Sequence, residues 1–262
     1  MTKAGMLREI RKNWQNYALM APFLILFALF TLIPIIYSVV ISFTNFNIFT
    51  TPTFVGWDNY LRMFFDDDVF IIAIRNTLIF ALITGPVSYV LCFVFAWLIN
   101  ELRPKVRAVV TLIFYAPVLS GTAFTVWSFI FSSDQYGLLN GYLMELGILR
   151  EPMGWLTDPA YILFVVIFVQ LWMSLGTGFL SFIAGLQGVD RTLYEAGLVD
   201  GVHNRFQELW YITLPVMKPQ MLFGAVMQIV SSFSVADVSV RLAGFPSTQY
   251  AAETLVTHIM DY

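Results

Sequence analysis

The chain has 262 residues, of which 58% are hydrophobic, 17% aromatic and only 12% charged. Soluble globular domains carry about 25% charged residues, so this composition excludes a water-soluble fold. The net charge of −3 and the absence of any basic patch exclude nucleic acid as a partner class.

Residues 1–17 read as a tail containing Lys3, Arg8, Arg11 and Lys12, and residues 18–262 as one transmembrane domain. Five segments of that domain carry no charge over membrane-spanning length: 18–43, 76–99, 108–131, 160–187 and 219–236. A helix needs about 20 residues to cross the hydrocarbon layer, so even the last and shortest segment qualifies. Continuous apolar runs, rather than ten-residue alternations, exclude a β-barrel. The fold class expected is an all-α membrane protein, a polytopic bundle of transmembrane helices. The first segment is too long for a secretory signal and lacks a small-residue cleavage site, so it reads as an uncleaved anchor. The single Cys92 falls in the second segment and excludes an intrachain disulfide. Five spans put the two chain ends on opposite sides, and a helix-like stretch over 250–260 follows the fifth. A sixth span, missing at the carboxyl end, is therefore expected.

Basic residues orient the bundle. With the amino terminus inside, the inner pieces 1–17, 100–107 and 188–218 hold ten Lys and Arg, whereas the outer pieces hold only Arg62, Arg150 and Arg241. Acidic residues, among them Asp66, Asp67, Asp68, Asp134 and Glu253, fall mostly outside. The loop 188–218 is thereby assigned to the cytoplasm.

That loop is the polar island of the chain. Asp190 or Thr192 can cap a helix, and Thr192-x-x-Glu195 has capping-box spacing. Gly201 suits the left-handed position that ends such a helix, and a second short helix is expected over 204–211 before Leu214-Pro215. A helix resting on anionic lipid headgroups would carry Lys and Arg on its polar face, but this one offers Glu195 and Asp200 against Arg191.

The run Tyr194-Glu195-Ala196-Gly197, then Asp200-Gly201, Phe206, Ile212-Thr213-Leu214-Pro215 and Pro219, resembles the E-A-A loop of bacterial binding-protein-dependent ABC importers. It is similar in particular to the permeases of the maltose-type carbohydrate uptake family. Phe54-Val55-Gly56-Trp57-Asp58-Asn59-Tyr60, Asn76-Thr77, Gly137-Leu138-Leu139-Asn140 and Trp155-Leu156-Thr157-Asp158-Pro159 extend the resemblance over most of the chain. Two departures stand out: Gly197 replaces the second alanine, which should loosen the helix by roughly 1 kcal/mol, and Gly244-Phe245-Pro246 replaces the usual Gly-Gly-x-Pro.

The resemblance implies a type I ABC importer permease fold in a bacterial inner membrane, with the amino terminus cytoplasmic. Tyr194, Glu195, Ala196, Gly197, Asp200 and Gly201 would form a coupling helix docked in a cleft of a separate ATPase, Glu195 being its charged contact and Gly201 its turn. Further implied partners are a second permease, a paralogue of this one, two cytoplasmic ATPase subunits and an extracellular solute-binding protein delivering an oligosaccharide. ATP and Mg would bind the ATPase subunits. This chain contains no G-x-x-x-x-G-K-[ST] run and is not expected to be an enzyme.

A pathway through the bilayer should show as polar groups on apolar helices, which are costly unless paired or facing a cavity. Gln170, Ser174, Gly178, Ser181 and Gly185 recur at three- and four-residue steps in the fourth segment, and Gln228, Ser231 and Ser232 do so in the fifth. Gln170, Trp172, Ser174, Gln228, Ser231 and Ser232 are the candidate pathway residues, Trp172 for stacking on sugar. The opposing reading is that small residues serve close helix packing and serines bond their own backbone. An ion-gradient-driven transporter of a small polar solute is the rival class, but no carboxylate lies in any of the five segments. His203 and His258 fall on opposite sides, so no metal pair is expected. Residues 138–149 could form a short amphipathic helix at the outer bilayer edge.

Overall fold

The computed structural model describes residues 12–47, 50–120 and 123–261. It divides into two compact units, Met1–Asp68 and Val69–Tyr262.

In the first unit, helix α1 (Trp14–Ile41) carries no charged residue and is long and apolar enough to cross a membrane. It widens into a π turn at Ala28–Leu32, just before Pro34. A proline ring clashes with the carbonyl four residues back, and a wider turn relieves that clash. Past α1 the chain makes an antiparallel hairpin of β1 (Thr44–Asn47) and β2 (Thr50–Phe54), with Thr44 opposite Phe54 and Asn45 opposite Thr53. This hairpin lies beyond the apolar runs, and its threonines favour a pleated strand. Gly56, at a φ of 62°, turns the chain into α2 (Asp58–Phe65). Asn59 Nδ2 donates to the carbonyls of Ser42 and Thr44, both at 2.9 Å, and the rings of Phe43, Trp57 and Tyr60 pack together at 5.2–5.4 Å. The Trp57-Asp58-Asn59-Tyr60 run thus builds the corner that closes the hairpin on α1.

The second unit opens with α3 (Asp68–Asn100) and continues through α4 (Pro104–Leu119), α5 (Ala123–Ile130), α6 (Leu138–Glu145), α7 (Pro159–Met173) and α8 (Thr177–Gln187). Next come α9 (Arg191–Val199), α10 (Arg205–Glu208), α11 (Lys218–Phe233), α12 (Asp237–Ala243) and α13 (Leu255–Asp261). Three stretches of described residues are long and apolar enough to span a bilayer: Trp14–Ile41, Asp68–Asn100 and Pro159–Gln187. A fourth is the pair Lys218–Phe233 and Asp237–Ala243, bent by 41°. The third expected segment runs over residues 108–131. Its described residues fall in two shorter helices, α4 and α5, with 121–122 outside the described residues. The helix-like stretch over 250–260 is likewise shorter than expected: a 3-10 turn at Thr248–Tyr250 precedes α13.

Two buried clusters fill this unit. One joins Phe80 of α3 to Ile162, Val165, Val166 and Val169 of α7 and to Val235, Val238 and Leu242 around the bend of the α11–α12 pair. The other joins Cys92, Ala96 and Ile99 of α3 to Phe179, Phe182, Ile183 and Leu186 of α8. Close approach of α8 and α11 depends on glycine. A Cβ on Gly224 would stand 2.7 Å from Cζ of Phe182, and one on Gly185 would stand 2.9 Å from Cγ of Gln220. Gly185 therefore serves helix packing, the opposing reading of that small-residue face, whereas a Cβ on Gly178 would meet only Oε1 of Gln228 at 3.8 Å.

Buried asparagines hold the connections. Asn76 Nδ2 reaches the carbonyls of Tyr250, Ala251 and Glu253 at 3.0–3.2 Å, while Thr77 Oγ1 accepts the N–H of Leu255 at 2.9 Å. Asn140, 0% exposed, donates to the carbonyls of Ser132, Asp134 and Met153 and accepts from the N–H of Met153 and the indole of Trp155. A buried amide with this many partners is fully satisfied and fixes the segment around it.

Candidate coupling site

The loop 188–218 folds as two helices across a glycine turn. Asp190, not Thr192, caps α9, accepting the N–H of Thr192 at 3.0 Å, and so the Thr192–Glu195 capping box does not form. Glu195 is thereby left without a capping role. It is exposed, and among the described residues nothing hydrogen-bonds or ion-pairs its carboxylate. Gly201 takes a φ of 90°, the left-handed region expected of it. Asn204 and Gln207 then form a true capping box: Asn204 Oδ1 accepts the N–H of Phe206, and Gln207 Oε1 accepts that of Asn204. After α10 the chain passes through a π turn, Leu209–Thr213, and again a proline, Pro215, stands two residues beyond it.

Two contacts lock the helices together. The hydroxyls of Tyr194 and Thr213 are 2.9 Å apart, and Thr213 also donates to the carbonyl of Glu208 at 3.2 Å. Gly197 is buried against Ile212, whose Cδ1 lies 2.6 Å from where a Cβ would stand. The glycine read as a loosened spot is thus a packing position. Tyr194 and Gly197 tie α9 inward, whereas Glu195, Ala196, Leu198, Val199 and Asp200 point outward; Val199 is 89% exposed.

The second helix reaches the end of α3. Arg205 Nη1 bonds Glu208 Oε2 at 2.9 Å, and its Nη2 pairs with Glu101 Oε2 at 3.1 Å. The Glu208 hydrogen bond first, and the Glu101 charge second, push the Arg205 guanidinium above its ordinary pKa. Next to it the rings of Phe206 and Trp97 pack at 5.7 Å. Trp97, Glu101, Arg205 and Glu208, with Asn100, Arg107, Arg191 and Glu195, wall a polar cavity of about 530 Å³. Sequence reasoning missed Arg205, Glu101 and Trp97; a basic residue directly after a capping asparagine was the available signal.

The candidate pathway residues divide. Gln228 and Ser232 of α11 line a cleft of about 440 Å³ against α3, facing Leu78, Gly85 and Tyr89. Tyr89, another residue the sequence reading missed, donates its hydroxyl to the carbonyl of Met221 at 3.2 Å. Ser232 turns its hydroxyl onto the carbonyl of Ile229 at 2.8 Å, and Ser231 is exposed. Gln170 is half-buried on α7, away from that cleft. Trp172 meets Trp127 edge-on at 5.2 Å in a separate apolar cavity. Ser174 sits at the break after α7, donating to the carbonyl of Leu171 at 2.6 Å while its own carbonyl accepts the Cys92 thiol. Among the described residues no group of His, Cys, Asp and Glu is arranged to hold a metal ion.

No protein-family model matches the chain. It is 34% identical over 230 residues to the probable ABC transporter permease protein YesP of Bacillus subtilis, covering 86% of this chain and 72% of that protein. To the lactose transport system permease protein LacF of Rhizobium radiobacter it is 32% identical over 227 residues, covering 85% of this chain and 74% of the other. Among solved structures, a chain of the bacterial alginate ABC transporter, crystallised with a periplasmic protein bound to alginate pentasaccharide, superposes with a TM-score of 0.76 at 26% identity. That match covers 96% of this chain and 84% of that one. Sequence identity sustained along most of both permeases, a shared fold and several membrane-spanning helices lead to one assignment: the chain belongs to the family of ABC transporter permeases and is a multi-pass membrane protein.

Proposed function

We propose that this permease forms part of the transmembrane pore of an ATP-driven importer that takes up a carbohydrate, an oligosaccharide, handed over by an extracellular binding protein. It sits in a bacterial plasma membrane with its amino terminus and loop 188–218 in the cytoplasm. There α9 docks on a separate ATPase subunit, one of two that bind ATP and Mg, and a paralogous permease completes the pore. The observation that carries this reading is the loop itself: two interlocked helices that hold Tyr194 and Gly197 inward and leave the Glu195 carboxylate exposed and without a partner among the described residues. A charge left so is suited to an opposite charge on another protein. The carbohydrate assignment draws on the lactose, arabinooligosaccharide and alginate systems of its relatives.

ATP-driven closure of the ATPase pair would move α9 and, with it, the helices it is joined to as rigid bodies. The cleft between α3 and α11, with Gln228 and Ser232 in its wall, is where we place the sugar path. The test is reconstitution of the complete transporter in proteoliposomes with its binding protein and a panel of labelled mono- and oligosaccharides. ATP-dependent uptake of an oligosaccharide, altered in rate or selectivity by Gln228→Leu while assembly survives, is expected. Uptake that collapses with an ionophore yet persists without the ATPase subunits overturns the proposal and favours a gradient-driven carrier.

A further inference from the structure

Beyond docking, the structure shows how the loop is fastened to the bundle. We infer that Arg205 is a positioning residue that straps the docking loop to the adjoining end of α3, so that α3 is displaced together with the loop. The inference rests on the docking role proposed above.

Three observations carry it. The two loop helices form one body, because Tyr194 meets Thr213 and Gly197 meets Ile212 across the turn. That body grips α3 through neighbouring residues of α10: Arg205 pairs with Glu101, just past the last turn of α3, and Phe206 packs on Trp97 within it. The guanidinium is also aimed by its own helix, since Nη1 is held by Glu208 while Nη2 reaches across to Glu101. A planar fork held at one prong presents the other in a fixed direction, which a lysine cannot do. The polar cavity beneath α9 is walled by both the loop and the α3–α4 turn, and Arg205 crosses between these two walls.

What Arg205 pulls on is functionally placed. Helix α3 runs from the strap to Gly85 and Tyr89 in the wall of the cleft that contains Gln228. Sixteen residues separate Glu101 from Gly85, about 24 Å along a helix, and hydrogen-bonded helix carries displacement over that length with little loss. Pro86, without a backbone N–H, provides a bending point at the cleft. Movement entering through α9 therefore has a second route into the cleft, through α3, besides the covalent one through α11.

The side chains of Arg205 and Glu101 are 65% and 40% exposed, and an ion pair so placed adds little to folding stability, so neutral variants are expected to assemble. The experiment uses the full transporter with its ATPase subunits. Cys92→Ser removes the native thiol, and Tyr89→Cys reports the cleft by its rate of labelling with N-ethylmaleimide, with and without ATP. Arg205→Gln and Glu101→Gln should each shrink the ATP-induced change in labelling rate about three- to tenfold while ATP hydrolysis persists. The double variant should be no worse than either single one. Arg205→Lys should retain part of the response, and Glu208→Gln, which loosens the aim without cutting the strap, should lose less than twofold. If Arg205→Gln fails to assemble, Glu101→Gln cuts the same pair from the other side. An unchanged ATP response in the glutamine variants, or losses that add in the double variant, overturns the strap. Failure of the unaltered chain to co-purify with ATPase subunits overturns the docking role instead.

Discussion

The loop between α5 and α7 and the loop between α8 and α11 are both polar interruptions in an apolar chain, and they dispose of their polar groups in opposite ways. The first turns inward upon Asn140, whose amide takes five hydrogen bonds from the segments on either side of α6. Asp134 likewise closes on its own loop, accepting from the Ser132 hydroxyl and the N–H groups of Tyr136 and Gly137. The second loop caps its own helices and is joined to α3 by the Arg205–Glu101 pair and the Phe206–Trp97 ring contact, but its central carboxylate at Glu195 has no partner among the described residues. A loop that satisfies itself can be rigid alone. One that leaves a charge and an apolar edge outward, with Val199 almost fully exposed, is shaped for something else to complete it.

This contrast can be broken most directly at Asn140. Asn140→Leu strips partners from the N–H of Met153 and the indole of Trp155 and should cost about 3 kcal/mol or more, since each buried orphan costs about 1–3 kcal/mol. Hydrogen exchange should then accelerate across 132–158 and stay unchanged across 188–218; equal change in both loops would show that they are not independent. At the docking loop the expected pattern is reversed. Glu195→Ala or Gly201→Asp should leave folding intact yet cut transport at least tenfold, as measured by uptake and by co-purification of the ATPase subunits. An aspartate forced to a φ of 90° is strained by about 1–2 kcal/mol, which misdirects the turn. Wild-type transport in both variants would mean the loop is not the docking element.

Gly197 offers a smaller and signed test. Alanine gains about 1 kcal/mol of helix propensity but must displace Cδ1 of Ile212, the movable end of its side chain. Gly197→Ala alone should therefore change stability little, while Gly197→Ala with Ile212→Val, which removes that methyl, should be more stable than either single variant. Thermal unfolding of the purified subunit in detergent decides it, and a double variant less stable than both would show that the glycine is required for another reason. The smallest effect belongs to Asp134. The Ser132 hydroxyl, and then the backbone N–H of Tyr136, hold its carboxyl below the ordinary carboxylate value. A depressed pKa stabilises the loop above the unfolded-state value near 4 and loses that contribution as pH falls through the folded value. Trp155 fluorescence should report loosening only at acid pH, and Ser132→Ala should move its onset upward.

Much of this was legible in the residues because the signals are strong and local. Charge-free runs reveal helices that must satisfy their backbone internally, and Asp190 and Gly201 announce helix ends by the chemistry of capping. What escaped is longer in range. Nothing in the spacing of Gly178 and Gly185 told a pathway from a packing face, because that depends on which helix lies opposite; the answer is α11, carrying Gln220 and Gln228. Arg205 and Glu101 lie over a hundred residues apart, and each reads as an ordinary charge at a membrane edge. The hairpin after α1 was overlooked because a search for membrane spans passes over short threonine-rich segments. The asparagines of the outer motifs carry the family resemblance in the sequence, and their work as fully bonded amides only appears once the loops are folded around them.

The π turn at Leu209–Thr213 has a consequence for how this chain tolerates change in length. A wider turn accommodates one residue more than an α-helix does over the same rise, and one residue is worth about 100° of rotation. The side chains of α10 and those of the helical turn Leu214–Val216 therefore lie in two phases of the winding, and a helical wheel drawn continuously through both assigns the wrong partners. Substitutions inside 209–213 leave that phase alone. Deleting one residue there would rewind the turn to α geometry and swing Arg205 about a quarter of the way round the axis, away from Glu101, without altering any residue that makes the contact.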